Sequence, residues 1–156
     1  MPTSSSPDGS RPERPARNGT AAAAAPPGVT PDQVAEFEQV AAHLSALHQE
    51  FAVQAKPKPD HPINTFKLGM VNQKLVRANA LLSGEYAPLA GFETFAADAL
   101  PTNSDVALVL RAYLASLERW RSARVQYTPA DGHTWRTGDG TRITAAKATR
   151  FAPEDR

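Results

Sequence analysis

Apolar residues recur at steps of three and four in three separate stretches, and each stretch predicts an amphipathic helix. In "TPDQVAEFEQVAAHLSALHQEFAVQAK" the positions Phe37, Val40, Leu44, Leu47 and Phe51 share one face, which predicts a helix over 31–55. Thr30 can cap it, Pro31 suits its first position, Gln33 stands where a capping box needs it, and Asp32 favours the helix dipole. The run "KPKPDHP" ends this helix, because prolines lack an amide donor and push the residue before them out of helical conformation. A second helix is predicted over 63–82 from Leu68, Val71, Leu75, Ala78 and Leu82, closed by Ser83-Gly84. Two such helices joined by a short, stiff link should form an antiparallel hairpin.

A third helix is predicted over 104–125, starting at Asn103 or Ser104, with Val106, Val109, Leu110, Tyr113, Leu117 and Trp120 as its core face. Ahead of it, "LAGFETFAADALP" places Leu89, Phe92, Phe95 and Ala99 for a short helix near 91–99, stopped by Pro101. Beyond Tyr127 the helical period fails. There "HTWRTGDGTRIT" reads as a small hairpin over 134–144, turning at Gly138-Asp139-Gly140. The expected fold is all-α: a small bundle of three long helices and one short one, with a disordered N-terminal tail and a small C-terminal hairpin. The expected divisions are a tail over 1–29, a helical domain over 30–127 and a basic extension over 128–156.

Composition supports the tail. Residues 2–28 hold six of the fourteen prolines and no Val, Ile, Leu, Met, Phe, Tyr or Trp, so they cannot bury enough apolar area to offset chain entropy. The chain has no cysteine, which excludes disulfides, thiolate metal sites and a cysteine nucleophile. Seventeen Lys+Arg against sixteen Asp+Glu encode no global pull toward nucleic acid or an anionic membrane. No apolar run is long enough for a transmembrane helix and the N-terminus lacks the apolar middle of a secretory signal, so the expectation is a cytoplasmic protein without a membrane role.

Candidate chemistry is sparse. Glu36, His43 and Glu50 align at steps of seven, but on a stripe expected to lie opposite the apolar face, in water, where carboxylates keep ordinary acidity. No HExxH, phosphate-loop, dinucleotide or nucleophile-elbow pattern occurs. The glycines at 138 and 140 are accounted for by turn chemistry, and Asp131 and His133 have no nearby serine. The expectation is therefore no catalytic residue, no metal and no cofactor: not an enzyme.

Two features point to binding. Met70 and Leu108 fall outside the main stripes of their helices, which predicts a second apolar surface covered by a protein partner or a second copy, with Phe92, Phe95 and Trp120 contributing. Lys67, Lys74 and Arg77 share one side of the second helix, and Arg121, Arg124, Trp135 and Arg136 lie in a basic C-terminal third, so nucleic acid is the alternative partner. Charge pairing with the acidic first helix competes with that alternative. Asn72 and Asn79 flank the apolar stripe of the second helix and are expected to hold backbone groups of the 83–104 segment. A ligand pocket beside Phe92 and Phe95 is a weaker expectation. The favoured reading is a non-catalytic helical interaction module, an adaptor or accessory subunit that self-associates.

Overall fold

The computed structural model describes residues 26–146. Residues 1–25 of the tail expected over 1–29, and the residues from Lys147 onward, lie outside them. Three helices form, α1 over Pro31–Ala55, α2 over Thr65–Leu81 and α3 over Asn103–Ser122. The capping box at the start of α1 is present: Gln33 donates its backbone N–H to Thr30 Oγ1, and the Thr30 amide donates to Gln33 Oε1 at 2.9 Å. Helix α3 starts at Asn103, one of the two expected starts, and ends at Ser122, three residues short of the expected range. Its N-cap is Thr102, whose hydroxyl accepts from the Asp105 amide while the Asp105 carboxylate accepts from the Thr102 amide.

The proline-rich link also caps α3. The Asn103 and Ser104 amides, which have no acceptor within their own helix, donate to the carbonyls of His61 and Pro59, and the Asn103 side chain donates to the Lys58 carbonyl. The end of α1 is thereby fixed against the start of α3. Ion pairs Glu36–Arg77 and Glu50–Lys67 run in opposite sequence order along α1 and α2, as an antiparallel hairpin requires. Phe37 stacks on Trp120, with ring centroids 5.4 Å apart, near the other end of the α1–α3 pair, so α3 is antiparallel to α1 as well.

The C-terminal part corrects the all-α expectation. A three-stranded antiparallel sheet, β1 over Val125–Thr128, β2 over Gly132–Trp135 and β3 over Ile143–Thr144, is ordered β1-β2-β3. The β2–β3 connection contains the expected Gly138-Asp139-Gly140 turn. The β1–β2 hairpin was not expected; Pro129-Ala130-Asp131 form its loop and Gly132, at φ 68°, takes the left-handed position that a three-residue hairpin loop demands. Its signal is "TPADG", a turn sequence hidden behind the fading helical period.

This sheet completes the helical core. Trp135 is buried edge-on against Phe37 and beside Trp120, and Ala145 is buried with it. Val29, grouped with the tail by composition, is buried too; its amide donates to the Arg136 carbonyl at 2.8 Å and its carbonyl accepts from Gly138. Gly28 lies so close to Gly138 that a Cβ on it would sit 2.5 Å from the Gly138 nitrogen.

The short helix expected near 91–99 does not form. That range holds only a 3-10 turn at Ala97–Ala99, with another ahead of it at Gly84–Tyr86. The physical reason is that side chains of α2 take the backbone groups a helix would pair internally. Asn72 accepts from the Phe95 amide at 2.9 Å and donates to the Phe95 carbonyl at 2.8 Å, and Asn79 donates to the Glu93 carbonyl at 2.9 Å.

Candidate interaction surface

The Asn72 and Asn79 contacts seat Phe92 and Phe95 between α2 and α3. Phe92 meets Phe95 edge-on and lies 6.4 Å, centroid to centroid, from the buried Tyr113 ring. Tyr113 donates its hydroxyl to Asn79 Oδ1 at 2.7 Å, and burial pushes its acidity down, so it stays a donor. Both phenylalanines are half-buried, and each is one face of the core rather than a free anchor.

Trp120, expected to meet a partner, is only 4% exposed. Its ring is stacked on Phe37, and the Arg124 guanidinium covers it 4.3 Å from the centroid while also lying over Tyr86. Trp135 is buried in the same aromatic cluster. These two tryptophans are therefore core residues, withheld from nucleic acid and partner alike.

The basic residues are equally engaged. Lys67 pairs with Glu50, and Arg77 grips Glu36 through two nitrogens and reaches Gln39, which holds the Glu36 carboxyl below its usual acidity range. Arg121 is buried against Glu118, with Nη2 2.7 Å from Oε1, and donates Nη1 to the Ala146 carbonyl at 2.8 Å. Arg124 donates to the Trp120 carbonyl. Of the residues expected to face phosphates, Arg136 is exposed and Lys74 half-buried, and they stand on different elements. Along the Glu36, His43 and Glu50 stripe, His43 and Glu50 are exposed, as expected, and Glu36 is half-buried; Glu36 and Glu50 are both tied to cations of α2. Among the described residues no group of three or more His, Asp or Glu is placed to hold a metal, and no helix is long and apolar enough to cross a membrane.

Several large apolar side chains are exposed as well. Phe66 is 77% exposed, Leu108 70% and Val76 58%, with Met70 also outward. Phe66, Gly69, Met70, Gln73, Val76 and Ala80 are all exposed and form one stripe along α2, opposite its buried Leu68, Val71, Leu75 and Ala78. Met70 was legible as an outlier. Phe66 and Val76 were not singled out, although Phe66, Met70 and Gln73 stand at helical spacing on the side opposite Leu68 and Leu75. Next to Phe66 and Met70 a cleft of about 170 Å³ opens between α1 and α2, floored by Leu47 and Phe51 and edged by Glu50 and Lys67. Leu108 projects separately from α3.

A second cleft, about 300 Å³, lies against the sheet and is lined by Gln126, Thr134, Arg136 and Arg142, the last paired with Asp131 at 2.7 Å. Two of its hydroxyls are engaged as well: Thr137 Oγ1 donates to the Thr141 carbonyl and Thr141 Oγ1 to Asp139. No family model, no curated protein and no solved structure matches this chain.

Proposed function

We propose that this protein is a non-catalytic helical interaction module, an adaptor or accessory subunit that works through protein contacts. The observation that carries this reading is the outer face of α2, where the large apolar side chains Phe66, Met70 and Val76 stand in water on a helix already buried on its other side. Large apolar side chains clustered on an outer face mark contact surfaces more often than they occur idly. Leu108 adds a second apolar point on α3. The engaged state of Lys67, Arg77, Arg121 and Arg124 supports protein over nucleic acid as the partner class, because each already has an acceptor or an aromatic ring within the chain.

The test is affinity capture and light scattering with the full chain, set beside Phe66→Glu and Leu108→Glu variants. Association with a discrete protein, or with itself, that either substitution abolishes is the expected result. A chain that stays alone at every concentration and retains nothing specific overturns the reading. Binding of fluorescent RNA or DNA that weakens steeply with salt would replace it with the nucleic-acid alternative.

A further inference from the structure

We propose that the cleft on the outer face of the sheet binds a small sugar or polyol phosphate, with the phosphate against Arg136, Thr134 and Gln126 and the hydroxyls against the 137–141 turn. This goes beyond the interaction-module reading and is independent of the α2 surface.

Side chains alternate between the two faces of a strand. Trp135 is turned into the core against Phe37 and Trp120, so Thr134 and Arg136 project from the opposite face. Gln126 stands across from Thr134 on β1. The β2–β3 register pairs Thr134 with Thr144 and Trp135 with Ile143, and carried one step further it sets Arg142 across from Arg136. Like charges directly opposite each other on one face of a sheet are destabilising. Asp131 neutralises Arg142, with Oδ1 2.7 Å from Nη1. The Arg136 guanidinium is exposed and has no partner among the described residues. With two cations against one carboxylate, the lining keeps a net positive charge.

Thr134 is only 5% exposed, yet its hydroxyl has no hydrogen-bond partner among the described residues. Buried hydroxyls are normally paired, because leaving one unpaired costs stability. Nor is this one sealed in. Among the described residues the sealed and unpartnered side-chain polar atom is the Trp135 indole nitrogen, so the Thr134 hydroxyl opens onto the cleft it lines. A hydroxyl, a side-chain amide and a guanidinium thus offer donors from two strands, an arrangement suited to the several oxygens of a phosphate. The turn supplies the opposite chemistry. Thr137 Oγ1 gives its proton to the Thr141 carbonyl and Thr141 Oγ1 gives its own to Asp139, so both oxygens are left as acceptors, for which ligand hydroxyls are the fitting donors. The volume of about 300 Å³ suits a small ligand, and Trp135, the aromatic residue of the lining, is buried in the core and leaves no face on which a nucleobase could stack.

Isothermal titration calorimetry on the full chain with glycerol 3-phosphate, ribose 5-phosphate and glucose 6-phosphate should show saturable binding of at least one, tighter than that of inorganic phosphate or free glucose. Arg136→Gln should weaken it about tenfold or more, the effect of losing a charge-assisted hydrogen bond. Thr134→Val should also weaken it while the melting temperature of the free protein is unchanged or raised, since the hydroxyl has no internal partner to lose. Asp131→Asn should tighten it, because a competing carboxylate is removed. The assignment is overturned if none of the three esters saturates, or if inorganic phosphate or glucose binds as tightly as the best of them. Affinity indifferent to Arg136→Gln, or weakened by Asp131→Asn, overturns it as well, and so does a phosphoserine peptide that binds more tightly than any sugar phosphate.

Discussion

Asn79 serves two elements at once, accepting from the Tyr113 hydroxyl and donating to the Glu93 carbonyl. Truncation to alanine strands a phenol hydroxyl on a fully buried side chain, which costs roughly 1–3 kcal/mol. Asn79→Ala is therefore expected to lower the melting temperature by several degrees and to loosen the loop around Glu93. Thermal denaturation followed by hydrogen exchange at the Phe95 amide would show it; an unchanged melt would mean that the asparagine bonds are dispensable. Glu118 and Arg121 pose the opposite problem, a charge pair almost wholly removed from water. Removing Arg121 takes away the cation set against a buried carboxylate, so Arg121→Met should cost about 3–5 kcal/mol, while Glu118→Leu with Arg121→Met should restore much of it. Melting the single and double variants checks the order. A double variant no better than the single one would show that the bond from Arg121 to the Ala146 carbonyl, not the ion pair, is what the fold needs.

At the level of elements, the α1–α3 contact contains a proton-sensitive group. Burial, and secondarily the Arg111 guanidinium, hold the His48 imidazole below its usual pKa. The unfolded chain therefore takes up this proton first. Stability from this source is complete above about pH 6.5, the ordinary histidine value, and falls as the pH drops through it toward the lower folded value. Melting temperatures measured from about pH 7.5 to 5.5 should decline, and His48→Gln should flatten that limb. An equal slope in the variant would place the effect elsewhere. Farther into acid, Glu36 and Asp105 contribute with the opposite chemistry: their folded pKa values are depressed by Arg77 and by the Thr102 cap, so stability present above the ordinary carboxylate range is lost as they protonate.

Across the whole molecule, the two ends of the described chain close on each other. Val29 bridges to Thr137, Gly28 abuts Gly138, and Arg121 holds Ala146, so the sheet, the start of α1 and the end of α3 gather at one pole. The exposed Phe66 lies toward the opposite pole, at the start of α2. Gly28→Ala should force the two backbones apart and cost about 1–3 kcal/mol, the range for overpacking a tight contact. The melting temperature should fall and the Gly138 amide, which donates to the Val29 carbonyl, should exchange faster. If neither changes, the contact of Gly28 and Val29 with the β2–β3 connection contributes nothing to the fold.

The sequence by itself determined the three helices, because a 3.6-residue repeat of Val34, Phe37, Val40 and Leu44, or of Leu68, Val71 and Leu75, has one low-energy solution once caps and prolines mark the ends. It also pointed to the role of Asn72 and Asn79, since polar amides beside an apolar stripe need partners. Tertiary structure alone decided the rest. Whether Phe92 and Phe95 sit on a helix or an irregular loop depended on acceptors and donors from α2, twenty or so positions away. Arg121 and Trp135 read as part of a basic, aromatic C-terminal third until Glu118, Phe37 and Trp120 are placed around them. Lys67 and Arg77 read as a phosphate stripe until the carboxylates of α1 are set opposite. Periodicity records which side of a helix must be covered; it holds no information about which distant side chain does the covering, and burial and charge are settled by that choice.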